Sequence, residues 1–105
     1  MNNKNRNSDK EHELYRAILE LKTPEECYHF FVDLCTVSEL KAMEQRFQVA
    51  RMLSRGMIYH DILEETGASS ATISRVNRAL NYGTDGYNTV MSRLDETAES
   101  DDSDD

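Results

Sequence analysis

The chain has 105 residues, 38% of them hydrophobic, and a formal net charge of −8, which allows one domain with a modest core. The charge is unevenly placed: residues 95–105 hold seven acids and no base, while residues 1–94 carry 13 acids against 12 bases. The acidic total therefore does not exclude a nucleic-acid partner, since Lys41 to Tyr82 has six bases against four acids, although so small a surplus calls for two copies acting together. No apolar run is long enough for a membrane span and the polar start, Met1 to Lys10, has no signal-peptide core, so the cytoplasm is the expected compartment.

The apolar spacing predicts six helices and no strand. The first covers about Ser8 to Leu21, with Leu14, Ala17, Ile18 and Leu21 on one stripe. Thr23-Pro24-Glu25-Glu26 is a capping box with proline at the first helical position, and it opens a second helix whose face is Cys27, Phe30, Phe31, Leu34 and Cys35. Two helical turns separate the two cysteines, too far for a bridge, so both read as buried free thiols. His29 beside them makes no zinc site, because four ligands are usual and nothing supplies the rest. Thr36-Val37-Ser38-Glu39 repeats the capping signature and opens the longest helix, which runs to about Arg55 and stops at Gly56. Leu40, Met43, Phe47, Ala50 and Leu53 form its main face and Val37, Val49 and Met52 broaden it. A helix apolar over more than one stripe is usually buried on more than one side. With Phe30, Phe31 and Leu34, this is a large apolar load for a small monomer, and a homodimer would bury it.

The most specific segment runs from Gly67 to Gly83. Ile73, Val76 and Leu80 share one helical face that must be buried, and Ser70, Ala71, Ser74, Arg75 and Arg78 fall away from it. Short side chains let a backbone approach a groove floor, and the two arginines can contact phosphate or read guanine. No acid occurs between Ala68 and Gly83. A shorter helix precedes it and ends at Gly67, where a left-handed turn is needed. Ile62, Thr66, Ala68, Ile73 and Val76 then fit the buried positions of a helix-turn-helix. Ile58 stands where the first helix of this motif would have a polar cap.

These readings divide the chain into a flexible N-terminus over 1–8, one domain over 9–94 and a disordered acidic tail over 95–105. Within the domain, 9–56 are dimerisation helices, 57–83 the helix-turn-helix and 84–94 the last helix. The tail is read as a solubilising end or as a competitor with phosphate for Arg75 and Arg78. No nucleophile–base pair, metal-ligand spacing or glycine-rich phosphate loop is present, so no enzyme is expected. The reading is a sequence-specific DNA-binding regulator, most simply a repressor. A helical interaction module contacting the transcription machinery is the alternative.

From Leu34 to about Leu94 the order of motifs resembles the Trp repressor superfamily, and within it the YerC/YecD-type branch. The matching pieces are Leu34-Cys35-Thr36, Arg46, Arg55-Gly56, Gly67-Ala68 and Ala71-Thr72-Ile73-Ser74-Arg75. The resemblance implies an all-α, six-helix, intertwined homodimer with a C-terminal helix-turn-helix on each side, its partner double-stranded DNA. It would place Ser70, Ala71, Thr72 and Ser74 at or near the DNA, and with Ser69, Arg75 and Arg78 these make up the expected DNA-binding residues.

The resemblance also raises tryptophan as a corepressor, held in relatives by positions that match Thr36, Arg46 and Arg75 here. Two matching positions depart: a glycine is Val76, which puts a branched side chain into the ligand's space, and a serine is Ala79, which leaves the ligand amine short of a partner. No cofactor is therefore expected. A basic DNA contact in the first helix of the motif is matched only by His60 or Asp61, so the operator does not carry over.

Overall fold

A computed structural model describes residues 12–103; the flexible segment expected over 1–8 and the start of the first helix lie outside the described residues. Six helices and no strand occur among the described residues: α1 at 12–18, α2 Pro24–Leu34, α3 Val37–Ser54, α4 Tyr59–Thr66, α5 Ser70–Tyr82 and α6 Gly86–Ser103. None of them is long and apolar enough to cross a membrane. The chain divides into two compact units, Met1–Leu40 and Lys41–Asp105. The expected single domain, with its dimerisation helices ending at residue 56, is thus cut inside α3. The reason lies in α3 itself, whose second half supplies Val49 and Ala50 to the core of the helices that follow it.

In the first unit, capping residues set the boundaries. The helix α1 ends at Ile18 rather than at Leu21, and its exit tightens into short-range bonds, Glu20 N–H to Ala17 O and Leu21 N–H to Ile18 O. Pro24 then holds Thr23 extended (φ −131°, ψ 157°), the conformation an N-cap needs. Thr23 Oγ1 accepts from Glu26 N at 3.1 Å, and Glu26 Oε1 reaches back to Lys22 N at 2.8 Å. The next helix start is a reciprocal capping box: Thr36 Oγ1 accepts from Glu39 N at 3.1 Å and Glu39 Oε1 accepts from Thr36 N at 2.8 Å. Those bonds from Thr36, the backbone one first, hold the Glu39 carboxyl below its ordinary pKa.

Cys35 is the C-cap of α2, extended and bonded through its N–H to Phe31 O at 2.9 Å. The two cysteines therefore do not share one helix, because Thr36 must leave it to cap the next. Both thiols are free and half-buried rather than buried. No residue of α2 is buried, and Tyr15, Leu19, Tyr28, Leu34 and Val37 are all more than half exposed.

The second unit has a core. Val49 and Ala50 of α3, Ile62 of α4, Ala68 of the turn, Ile73 and Val76 of α5 and Met91 of α6 are buried together. Met52, Leu53, Met57, Leu80 and Tyr87 pack against them. Of the face expected on α3, Phe47 instead opens onto a concavity of about 550 Å³ that it lines with Ala79, Gly83, Thr84, Gly86, Tyr87 and Val90. The C-terminus of α3 closes with paired bonds, Met57 N–H to Met52 O and Gly56 N–H to Leu53 O, the pattern that satisfies orphan carbonyls at a helix end.

The last helix corrects an expectation. It continues past residue 94 to Ser103, so the acids at 95–103 are carried on helical backbone instead of a disordered tail. No glycine or proline follows Gly86 to stop it. Arg51 of α3 holds Asp95 through both terminal nitrogens at 3.2 Å, and Thr97 Oγ1 donates to Arg93 O at 2.9 Å.

Candidate nucleic-acid interface

The interface is built on the turn between α4 and α5. The first of these helices begins at Ile58, which offers no side-chain cap and is 64% exposed; the one residue it buries is Ile62. It ends on Gly67 at φ 71°, ψ 6°, where the glycine N–H bonds Leu63 O at 2.9 Å. A side chain at this left-handed position would strain the backbone, which is why the chain uses glycine here. Thr66 reinforces the turn from both sides. Its Oγ1 donates to Ile62 O at 2.7 Å and accepts from Ala68 N at 3.1 Å.

Ser69 is the N-cap of α5. Its Oγ accepts from Thr72 N at 3.1 Å and lies 3.1 Å from Thr72 Oγ1. From this start, Ile73 and Val76 face inward at 0% and 1% exposure, and Leu80 packs on the same core. The opposite edge carries Ser70, Ala71, Ser74, Arg75 and Arg78, all exposed. Among the seven expected DNA-facing residues, then, five present free side chains, while the Ser69 and Thr72 hydroxyls are engaged with each other at the helix start. Neither arginine is drawn into an ion pair among the described residues, and the helix has no acid in its first turn. The N–H groups of its first turn also point a positive partial charge outward. This edge is suited to phosphate and to the floor of a groove.

Of the positions expected for a ligand, Thr36 lies in the first unit and Arg46 and Arg75 in the second. Thr36 spends both its hydroxyl and its amide on the α3 capping box. Arg46 is half-buried on α3, Arg75 is exposed on α5, and neither lines the concavity beside Phe47. Val76 is committed to the core. His60 is exposed on α4, its Nε2 3.4 Å from Glu64 Oε1 one turn on.

One contributor was not legible in the sequence. Gln45 Nε2 of α3 donates to Thr66 O at 3.1 Å, across 21 residues. No periodicity or cap signature marks such a residue.

A helical protein with an exposed, basic helix-turn-helix edge on an apolar core is the class this geometry defines. The model of the family described as Trp repressor protein matches residues 9–95. The Uncharacterized protein YerC of Bacillus subtilis (strain 168) is 56% identical over 85 residues, covering 81% of this chain and 82% of the relative. Among solved structures, a Trp repressor candidate of Staphylococcus aureus superposes with TM-score 0.79 at 49% identity, covering 83% of this chain and 87% of that one. A TrpR-like protein of Eubacterium eligens ATCC 27750 gives 0.76 at 57%, covering 79% and 86%. The chain belongs to the Trp repressor family, a family of DNA-binding regulators.

Proposed function

We propose that the protein is a sequence-specific transcription regulator, acting as a repressor, that reads double-stranded DNA as a homodimer through the outer edge of α5. The observation that carries this reading is the division of labour on one helix: Ile73 and Val76 hold the core while Ser70, Ala71, Ser74, Arg75 and Arg78 stay exposed and uncommitted. Ser69 and Thr72 contribute by fixing where that edge starts. Dimerisation is supported by the apolar surface of the first unit, where Leu19 is 80% and Val37 72% exposed. A second copy would cover it and double the number of phosphates engaged.

The same reading has no corepressor. Val76 fills core space by itself, so tryptophan adds no packing, and its addition is expected to leave the thermal midpoint unchanged; a saturable rise would overturn this part. The DNA reading is tested by titrating duplexes selected from a random pool, and random duplex, at two salt concentrations. Arg75→Ala with Arg78→Ala is expected to flatten the salt dependence by about 0.9 log units per decade for each phosphate no longer neutralised, with little change in the melting temperature. Unchanged affinity and slope in the double variant would remove α5 as the reading helix.

A further inference from the structure

The helix-turn-helix rests on α3 through apolar packing of Val49 and Ala50 with Ile62, Ala68, Ile73 and Val76. Apolar packing of this kind is non-directional. Interdigitating side chains set the angle of the motif on α3 only to within about 15–20°. The bond from Gln45 Nε2 to Thr66 O narrows that range, and among the described residues it is the one side-chain hydrogen bond that runs from α3 to the helix-turn-helix. The other side-chain bonds between helices of this unit, from Arg51 to Asp95 and from Asn88 to Leu80 O, attach α6.

Its acceptor is placed where a small movement has the largest effect. Thr66 O is among the last carbonyls of α4, which no N–H of the same helix can satisfy. Thr66 also joins the two helices through its hydroxyl, and the left-handed Gly67 follows it directly. We propose that Gln45 is a positioning residue for DNA recognition: by holding the end of α4, its amide sets, through the turn, the direction in which α5 leaves the core. The proposal rests on the DNA-reading function above and names a residue that never touches DNA.

Two substitutions of the full chain test it. Gln45→Met keeps the length and the aliphatic stem and removes the donor; Gln45→Glu sets a carboxylate against the carbonyl. Duplexes are recovered from a random pool with the unmodified protein. On the tightest of them Gln45→Met is expected to bind about threefold to tenfold more weakly, the weight of one neutral hydrogen bond, and Gln45→Glu more weakly still. Affinity for random duplex and the salt slope stay as they were, because Arg75 and Arg78 are intact. Equal binding of the recovered duplex, or an equal loss on both duplexes, overturns the proposal.

Amide exchange gives a second reading that needs no DNA. In Gln45→Met the Gly67, Ala68 and Ser69 amides are expected to exchange faster, with Ile73 and Val76 as slow as before; unchanged exchange at the turn overturns the proposal. Should the unmodified protein recover no duplex, the DNA reading fails and the exchange experiment alone decides whether Gln45 holds the turn.

Discussion

The two units are built from opposite materials. In the first, the starts of α2 and α3 carry side-chain caps at Thr23 and Thr36, yet no described residue is buried. In the second, α4 starts on an isoleucine with no cap at all, yet it is held by a fully buried Ile62. A cap is worth about 1 kcal/mol, and full burial of an isoleucine side chain about 1.5–3 kcal/mol. Caps therefore decide where a helix begins, and burial decides whether it persists. The second unit supplies its own burial, whereas the first has well-marked helices whose apolar side chains are exposed, the surface that the proposed dimer would cover.

The sharpest way to break this contrast is to remove burial from each side. Ile62→Ala is expected to destabilise the second unit by about 2–5 kcal/mol in denaturant unfolding, from lost transfer energy and the cavity left behind. Leu19→Ser, at a position 80% exposed, is expected to change the same measurement by less than about 0.5 kcal/mol in samples dilute enough to be monomeric. A loss at Leu19 comparable to that at Ile62 would erase the distinction between the units.

Removing a cap tests the other half. Thr36→Ala is expected to cost about 0.5–2 kcal/mol by thermal or denaturant melting, since it frees the Glu39 amide. The effect depends on pH, with a definite sign. The fold lowers the Glu39 pKa through its bonds from Thr36, so as pH falls the unfolded chain takes up this proton first. The contribution of Glu39 is complete above the ordinary carboxylate range and is lost as pH falls through the depressed folded value. Glu39→Gln is expected to remove that part of the acid dependence and leave the neutral-pH behaviour of the second unit alone. Acid melting curves that superpose for the two proteins would show that the box does not matter to the first unit.

The smallest effect is a gain. Ile58→Ser supplies an acceptor where α4 has none, and with the isoleucine 64% exposed little packing is forfeited. Stability is expected to rise by about 0.5–1 kcal/mol in urea unfolding. A fall would mean that Ile58 packs as a staple.

What could be read from the sequence followed the same division. Helix starts at Thr23 and Thr36 and the turn at Gly67 are local signals, each contained in a few residues, and each stands where its residue types place it. The inward face of α5 was legible because Ile73, Val76 and Leu80 repeat at helical spacing over a uniformly polar opposite edge. Three features were not. Cys35 looked like the next apolar position of a helix, but the demand of Thr36 for an extended cap ended that helix first. The acids beyond Leu94 looked too polar to order, and the partner that steadies their first residue, Arg51, lies 44 positions upstream. Gln45 has no pattern of its own, since its meaning is the carbonyl it meets.

The pairing of Arg51 with Asp95 also bears on the order in which the chain assembles. The turn from α4 to α5 closes among neighbours, and the bond from Gln45 to Thr66 spans 21 residues, whereas Asp95 must return across 44. Doubling a loop adds only about 0.6 kcal/mol of closure entropy, but the exposed ion pair at its end returns little against that cost. The pairing is therefore expected to close after the turn from α4 to α5, and Asp95→Ala to speed unfolding by no more than about fivefold while leaving the folding rate as it was.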